Sequence, residues 1–397
     1  MEFSPRQTLI LAVLVLFLGK FLTKKITLLK EFNIPEPVTG GIIISLVITL
    51  IYTIFDYSIS FSLMQRDVLL VVFFTTVGLN AKFSTLVEGG RTLIILLILA
   101  VIYLFLQNFT GIGVTMVTDL PKATGILGGS VSLSGGHGTA IAWAPLFKEQ
   151  YNITNAAEIG IACATFGLVL GGIIGGPIAK YLITKHDLIS SSSEPITVGI
   201  ANEKKQHISV DSVLTVLLIL SIAIGLGLHL HELLILLGIK LPVFVPCLFG
   251  GILLTNTLPF MFKKMPWPSQ TPTLALVSDL SLGLFLSMSL MSLQLWALVD
   301  LAAPILLLLL AQVLLTLFFS IFIIFRILGK NYEAAVIASG YAGLSLGATP
   351  TAIANMTAIT KKCGAAPKAF IVIPLIGAFF IDISNAVIIQ TMLNWIS

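Results

Sequence analysis

The chain has 397 residues, of which 57% are hydrophobic and 10% charged, and its mean hydropathy is +1.05. Because about a quarter of the residues of a soluble domain are charged, this composition excludes a soluble globular protein and indicates an all-α membrane protein with several spans. The formal net charge of +4 is spread over the loops and forms no patch for binding nucleic acid.

Ten apolar segments are predicted to cross the bilayer as helices. A long polar segment, "TKHDLISSSSEPITVGIANEKKQHISVD", divides them into two groups of five, and we interpret it as a flexible linker. The predicted spans are 7–23, 38–55, 67–80, 91–117 and 156–182 before the linker, and 212–237, 241–260, 273–294, 301–326 and 367–394 after it.

Two further apolar stretches, 121–147 and 333–359, are interrupted by Gly, Pro and Thr. The first contains "SLSGGHGTAIAWAP", and only about 12 apolar residues, or ~18 Å of helix, precede its glycines. That length is too short to cross the membrane alone. We therefore interpret each broken stretch as a re-entrant segment that enters the membrane and returns to the same side.

Three sequence matches share one offset of 212 residues and indicate an internal duplication. "RDVLLVVFF" (66–74) matches "SDLSLGLFL" (278–286), "LVE" (86–88) matches "LVD" (298–300), and "TAIA" occurs at 139–142 and 351–354. The predicted domains are an N-terminal repeat (1–183), a linker (184–211) and a C-terminal repeat (212–397). Since each repeat has an odd number of spans, the second repeat is expected to be inverted relative to the first.

The distribution of positive charge predicts the orientation. With the N-terminus outside, 17 of the 22 Lys and Arg residues fall on the inner side of the membrane. Cytoplasmic loops carry an excess of these residues. We therefore expect both termini outside and the linker in the cytoplasm.

Paired broken helices in inverted repeats are typical of the binding site of a secondary transporter. Helices starting at Thr139 and at Thr351 would point free N–H groups at the breaks and would attract an anion. Pro350 suits the first turn of the second helix. The predicted substrate-binding residues are Ser134, Gly135, Gly136, His137, Gly138, Thr139, Gly347, Thr349, Pro350, Thr351 and Asn355.

An acidic residue within a membrane span is expensive and indicates a functional site. Asp382 and Asn385 share one helix face, which we expect to meet the second broken stretch. Asp382 would then be a Na⁺ ligand or the partner of a substrate amino group; the alternative is a polar contact between helices. The predicted sodium ligands are Thr349, Asn355, Asp382 and Asn385.

Other polar residues have more than one interpretation. His137 either hydrogen-bonds backbone exposed by the break or lies beside the ligand, where its protonation would tune substrate binding. Gln107 and Asn108 are expected to make polar contacts between helices. The three isolated cysteines lack the spacing of a metal site and are expected to be small buried residues.

Six motifs in order make the chain resemble bacterial sodium/glutamate symporters over nearly its whole length. They are "IPEPVTGG" (34–41), "FFTTVGLNA" (73–81), "LSGGHGTAIAW" (133–143), "ACATFGLVLGGIIGGPIA" (162–179), "GATPTAIANM" (347–356) and "GAFFIDISNA" (377–386). The resemblance implies Na⁺-driven import of L-glutamate across the bacterial inner membrane, a homodimer and an elevator-like movement. The moving core would hold both broken stretches with spans 156–182 and 367–394. The chain departs from the family at Tyr341, where we expect His in many members.

Three other functions are alternatives to this one. A Na⁺-coupled transporter of another small anion, such as aspartate or a citrate-like acid, would use the same site. A channel would also use re-entrant helices, but the paired Asn-Pro-Ala signature of a water channel is absent. A hydrolase would need Ser134 and His137 to act together, and no GxSxG or HExxH motif accompanies them. An enzyme is therefore not expected.

Overall fold

The computed structural model describes residues 2–32, 34–83, 90–190, 208–237, 241–261, 267–296 and 301–396, apart from the side chains of 378 and 379. These residues are mostly helical, and eight of the described helices are long and apolar enough to cross a membrane. The composition-based prediction of an all-α membrane protein with several spans is confirmed. Most of the predicted linker (191–207) and the matched pair 86–88 and 298–300 lie outside the described residues.

The chain divides into two compact units, and each unit takes one segment from each half of the sequence. Unit 1 consists of Met1–Ser84 and Glu203–Ala297, and unit 2 of Thr85–Asn202 and Leu298–Ser397. Neither unit therefore coincides with one predicted repeat. The duplication and its inversion stay predictions.

Unit 1 contains the first three predicted spans of each half. Its helices are α1 (Pro5–Lys25), α2 (Thr27–Glu31), α3 (Glu36–Phe55), α4 (Met64–Asn80), α9 (Val210–Leu236), α10 (Phe244–Met261) and α11 (Pro272–Met291). Small residues let these helices approach closely, since a Cβ on Gly40 would collide with the carbonyl of Val15 and one on Gly78 with the carbonyl of Leu248. Glu2–Phe3 and Ser60–Phe61 form a short pair of parallel strands.

Unit 2 contains both broken stretches and the remaining spans. Its helices are α5 (Gly90–Thr115), α6 (Lys122–Ile126), α7 (Gly136–Tyr151), α8 (Ala156–Lys185), α12 (Ala302–Phe318), α13 (Phe325–Ile327), α14 (Tyr332–Leu346), α15 (Thr349–Cys363), α16 (Pro367–Leu375) and α17 (Ile381–Ile396). Three π-helical turns lie between them, at Leu127–Val131, Phe319–Ile324 and Ile376–Phe380. Unit 2 thus holds the four segments of the predicted core and, in addition, α5 and α12.

The core of unit 2 is built around aromatic side chains. The ring of Tyr103 packs edge-on against those of Phe319 and Tyr341, with centroids 5.0 and 5.5 Å away. The hydroxyl of Tyr103 lies 2.7 Å from Oγ1 of Thr316, so its polar end is satisfied inside the apolar cluster. This packing joins α5, α12 and the second broken stretch.

Two of the ten predicted spans are not among the eight helices that are long and apolar enough to cross a membrane. Helix α4 has 17 residues, or about 26 Å of helix, which is slightly shorter than the membrane core. The last predicted span is divided by the π-helical turn Ile376–Phe380 into α16 and α17. The count of ten spans therefore stays a prediction. One cysteine also departs from expectation, because Cys363 at the end of α15 is exposed, whereas Cys163 and Cys247 are buried.

Candidate functional site

The first broken stretch bends twice before its second helix begins. After α6 and the π-helical turn, residues 132–135 are non-helical, and α7 starts at Gly136 rather than at the predicted Thr139. Gly136 itself has a φ of +69°, in the left-handed region that glycine adopts without steric cost, so it redirects the chain into the helix that follows. Gly138 and Thr139 therefore lie within the first turn of α7.

The second broken stretch is interrupted over only two residues. Helix α14 ends at Leu346, Gly347 and Ala348 are non-helical, and α15 starts at Thr349 rather than at the predicted Thr351. Ala348 is fully extended, with φ −160° and ψ 165°, so it turns the chain sharply into the new helix. Pro350 lies in the first turn, as predicted, where its missing N–H costs no hydrogen bond.

Both helices begin without a side-chain cap. The residues at the cap positions, Gly135 and Ala348, have no side chain that can accept a hydrogen bond, and no cap bond is formed. The first N–H groups of α7 and α15 therefore lack the side-chain partner that most helix starts receive. Oγ1 of Thr351, in the first turn of α15, is buried and has no hydrogen-bond partner.

The two breaks lie against each other within unit 2. Oγ of Ser134 in the first break lies 2.6 Å from Oε1 of Gln107 and 3.2 Å from the carbonyl oxygen of Ser345, just before the second break. Gln107 also donates from Nε2 to that carbonyl, over 3.0 Å. A Cβ on Gly136 would be 3.8 Å from the carbonyl oxygen of Gly347. Residues of the two predicted halves are thus brought together.

His137 bonds a side chain rather than exposed backbone. Its Nε2 lies 3.0 Å from Oγ1 of Thr165 on α8, and the imidazole is buried. Ser134 and His137 therefore have different partners, and their geometry offers no nucleophile and base pair of the kind that a hydrolase needs.

Asn355 connects the second broken stretch to α8. Its Nδ2 donates to the carbonyl of Gly171 over 3.0 Å, and a Cβ on Gly175 would collide with its amide. Both glycines therefore allow close packing between α8 and the second broken stretch. The side chain of Thr349, at the start of the same helix, lies against Gly377 in the last span.

The last span contacts both broken stretches, which corrects the prediction for Asn385. Nδ2 of Asn385 donates to the carbonyl of Ser130, in the first stretch, over 2.8 Å. Gly377 contacts Thr349 in the second stretch. The eight residues from Gly377 to Asn385 advance the chain by about 12 Å, so one face of the helix reaches different neighbours at its two ends. Asp382 lies between them, is half-buried and forms no ion pair with any described residue.

Comparison with known proteins identifies the family. The family model described as "Sodium/glutamate symporter" matches residues 1–365. The chain belongs to the sodium/glutamate symporter family. It is 42% identical to the sodium/glutamate symporter of Escherichia coli K12 over 389 residues, which cover 97% of this chain and 96% of that protein. The sodium/glutamate symporter of Haemophilus influenzae is also 42% identical, over 98% of this chain and 96% of its own length.

Membership in the sodium/glutamate symporter family confirms the resemblance drawn from the six motifs and makes the chain a membrane transporter, not an enzyme. The structure gathers the predicted residues of both breaks in unit 2, but it divides the predicted sodium ligands. Asn355 bonds α8, whereas Asn385 bonds the first broken stretch.

Three residues at the centre of the site were not predicted as ligands. Gln107, Asn108 and Gln312 are fully buried, and their amides hydrogen-bond the backbone or side chains of the broken stretches and of α5. Gln107 and Asn108 were predicted only as contacts between helices, and Gln312 lies in a long apolar run. An uncharged amide within a membrane helix is the only signal that the sequence carries for them.

Proposed function

We propose that the protein is a Na⁺-coupled symporter that imports L-glutamate across the bacterial inner membrane. The observation that carries the proposal is the pair of uncapped helix starts in unit 2, at Gly136 and Thr349, which are both half-buried. The names of the relatives, sodium/glutamate symporter, support both the substrate and the coupling ion.

Helix starts suit a substrate with two carboxylates. The N–H groups and the positive end of each helix dipole attract one carboxylate, and the hydroxyls of Thr349 and Thr351 add donors at the second start. At the first start, the proposed substrate-binding residues are Gly135, Gly136, His137, Gly138 and Thr139. Ser134 is proposed to hold the first break in position. Gly347 and Asn355 are proposed to hold the second start in position. Na⁺ neutralises part of the substrate's charge, so each ligand raises the affinity for the other.

Alternating access is proposed to carry the loaded site as one body. All proposed ligands lie in unit 2, which is compact by itself, and this organisation suits an elevator-type movement of that unit. Two inverted five-span repeats, ten spans and a homodimer complete the proposal. Asp382, Thr349 and Asn355 are proposed as Na⁺ ligands at the second broken stretch, and Asn385, which bonds the first stretch, as a ligand of a separate Na⁺.

Uptake into proteoliposomes tests the function. Radiolabelled L-glutamate should accumulate saturably with an inward Na⁺ gradient and should not accumulate when K⁺ replaces Na⁺. An excess of unlabelled glutamate should block uptake, whereas aspartate and citrate should block it weakly. Na⁺-driven uptake of citrate or aspartate in place of glutamate would overturn the substrate, and a non-saturable flux would indicate a channel.

Labelling tests the proposed orientation, with both termini outside. A single cysteine at position 187 in the linker, introduced after Cys163, Cys247 and Cys363 have been replaced by Ser, should react only with a reagent applied from the cytoplasmic side. A cysteine at position 2 should react only from outside. Labelling of position 187 from outside would contradict the orientation.

A further inference from the structure

The first broken stretch contains a second irregularity, which precedes the glycine break in the chain. Gly129, within the π-helical turn, has φ −94° and ψ −122°, which are not helical values. The neighbouring backbone is held by two amide side chains: the N–H of Ser130 donates to Oδ1 of Asn108 over 3.0 Å, and its carbonyl accepts from Nδ2 of Asn385 over 2.8 Å. This irregular backbone is thus covered by polar groups of the protein, as non-helical backbone within a bilayer must be.

Four polar atoms around this kink have no hydrogen-bond partner. They are Nδ2 of Asn108, Oγ of Ser130, Oε1 of Gln312 and Oδ1 of Asn385. All four side chains are at most 1% exposed. We refer to Asn108, Ser130, Gln312 and Asn385 as the kink cluster.

The kink cluster is a local group, although its members come from α5, the π-helical turn, α12 and α17. Asn108 and Asn385 bond the backbone of Ser130 directly. Gln312 donates from Nε2 to the carbonyl of Gln107 over 2.8 Å. A Cβ built on Gly129 would lie 3.2 Å from that same carbonyl oxygen and 2.9 Å from Oδ1 of Asn108. The four side chains therefore surround one turn of backbone.

Unpartnered atoms at such a site call for a ligand, because most buried polar groups in proteins are paired. Three of the four unpartnered atoms are oxygens, and no member of the kink cluster is charged. Neutral hydroxyl and amide oxygens are the ligands that a hard monovalent cation takes in transporters, together with carbonyls freed by irregular backbone.

We propose that the kink cluster is a Na⁺ site, with Oγ of Ser130, Oε1 of Gln312 and Oδ1 of Asn385 as ligands. The inference rests on the proposed Na⁺ coupling and adds a site that the helix breaks do not provide. The carbonyl of Ser130 also accepts the N–H of Gly135 over 2.9 Å, and Gly135 is the cap residue of α7. A cation that fixes Ser130 therefore also orders the substrate end of the first break. This contact gives Na⁺ and glutamate a direct route of coupling.

Ser130→Ala tests the site with little risk to the fold, since the hydroxyl has no partner to lose. The full-length protein in detergent, without glutamate, is titrated with NaCl at constant ionic strength balanced by KCl, and Tm is followed. A ligand at free concentration L that binds only the folded state stabilises it by RT ln(1 + L/Kd), so the dependence of Tm on the NaCl concentration reports the Na⁺ affinity. In KCl alone, Ser130→Ala should melt no lower than the wild type. Its apparent Na⁺ affinity should be lower by about tenfold, the change expected for losing one ligand oxygen.

Ser339→Ala is the matched control, because Ser339 is a buried serine of unit 2 whose hydroxyl already donates to the carbonyl of Gly175 over 2.8 Å. It should keep the wild-type Na⁺ affinity. Gln312→Leu is the second variant and should weaken Na⁺ binding as Ser130→Ala does. Wild-type Na⁺ affinity in both variants overturns the site but leaves the Na⁺ coupling intact. A wild-type protein that responds equally to NaCl and KCl overturns the coupling as well.

Discussion

The two broken stretches of unit 2 have related sequences, "GGHGTAIA" and "LGATPTAIA", but they interrupt the membrane helix in different ways. The first combines a π-helical turn, a kink at Gly129 and a left-handed Gly136. The second is a regular helix up to Leu346 and turns within two residues. The first stretch is surrounded by amides, whereas the second packs its Tyr341 against aromatic rings.

The offset of 212 residues shows which residues of the two broken stretches correspond to each other. Gly129 and Ser130 correspond to Tyr341 and Ala342, and Asn108 corresponds to Ser320. The same position is thus occupied by a kinked glycine in one half and by a large aromatic ring in the other. Under the predicted duplication, the second half has no amide cluster at the position where the first half has one.

The largest effect on glutamate uptake is expected for a substitution of Gly136, the glycine with a left-handed backbone in the first break. Gly136→Val places a β-branched residue at φ +69°, which is strained although the surrounding space is open. Displacing a helix start by about 1 Å can cost about 100-fold in rate, so uptake of glutamate should fall at least that far while the protein still inserts. Gly113→Val, at an exposed helical glycine with no neighbour within 4 Å, should transport normally. Normal uptake by Gly136→Val would remove the first break from the site.

For Asp382, which lies between the two contacts of the last span, we expect an effect of about tenfold on the Na⁺ dependence of uptake. Asp382→Asn removes a charge without changing the size of the side chain, and the Na⁺ concentration for half-maximal uptake should rise by about tenfold. Asp279→Asn, at an exposed position of unit 1, is the control and should leave the Na⁺ dependence unchanged. If Asp382→Asn keeps the wild-type Na⁺ curve at a normal protein level, Asp382 is a structural residue and not a ligand.

The smallest effect, a change in KM for glutamate, is expected for a substitution of Thr351 at the second break. Thr351→Val removes a buried hydroxyl that has no partner, so the variant should be at least as stable as the wild type, and KM for glutamate should rise by about threefold to tenfold. Thr360→Val is the control, since its hydroxyl on the same helix donates to the carbonyl of Met356 and faces no predicted ligand. An unchanged KM in Thr351→Val would leave the first break as the main substrate contact.

A feature was predicted correctly from the sequence when its cause lies within its own segment of the chain. The apolar runs and the glycines at 135–138 act on their own segment, so the eight long apolar helices and both breaks were predicted from the sequence. The helix starts were predicted two or three residues late, because the backbone angles of Gly136 and Ala348 depend on the neighbouring segments. Pro350 was placed correctly since its own ring determines where in a helix it fits.

The sequence by itself determined the class of protein, the two interrupted stretches and the resemblance to a transporter family, because hydropathy and short motifs are properties of contiguous residues. Only the tertiary structure decided which polar groups meet. It placed Asn385 on the first broken stretch, joined Ser134 to Ser345 through Gln107, and gathered Gln312 and Asn108 at Gly129. A buried amide within a membrane helix looks the same in sequence whether it locks two helices or binds an ion, and only the packing of four separate segments distinguishes the two roles.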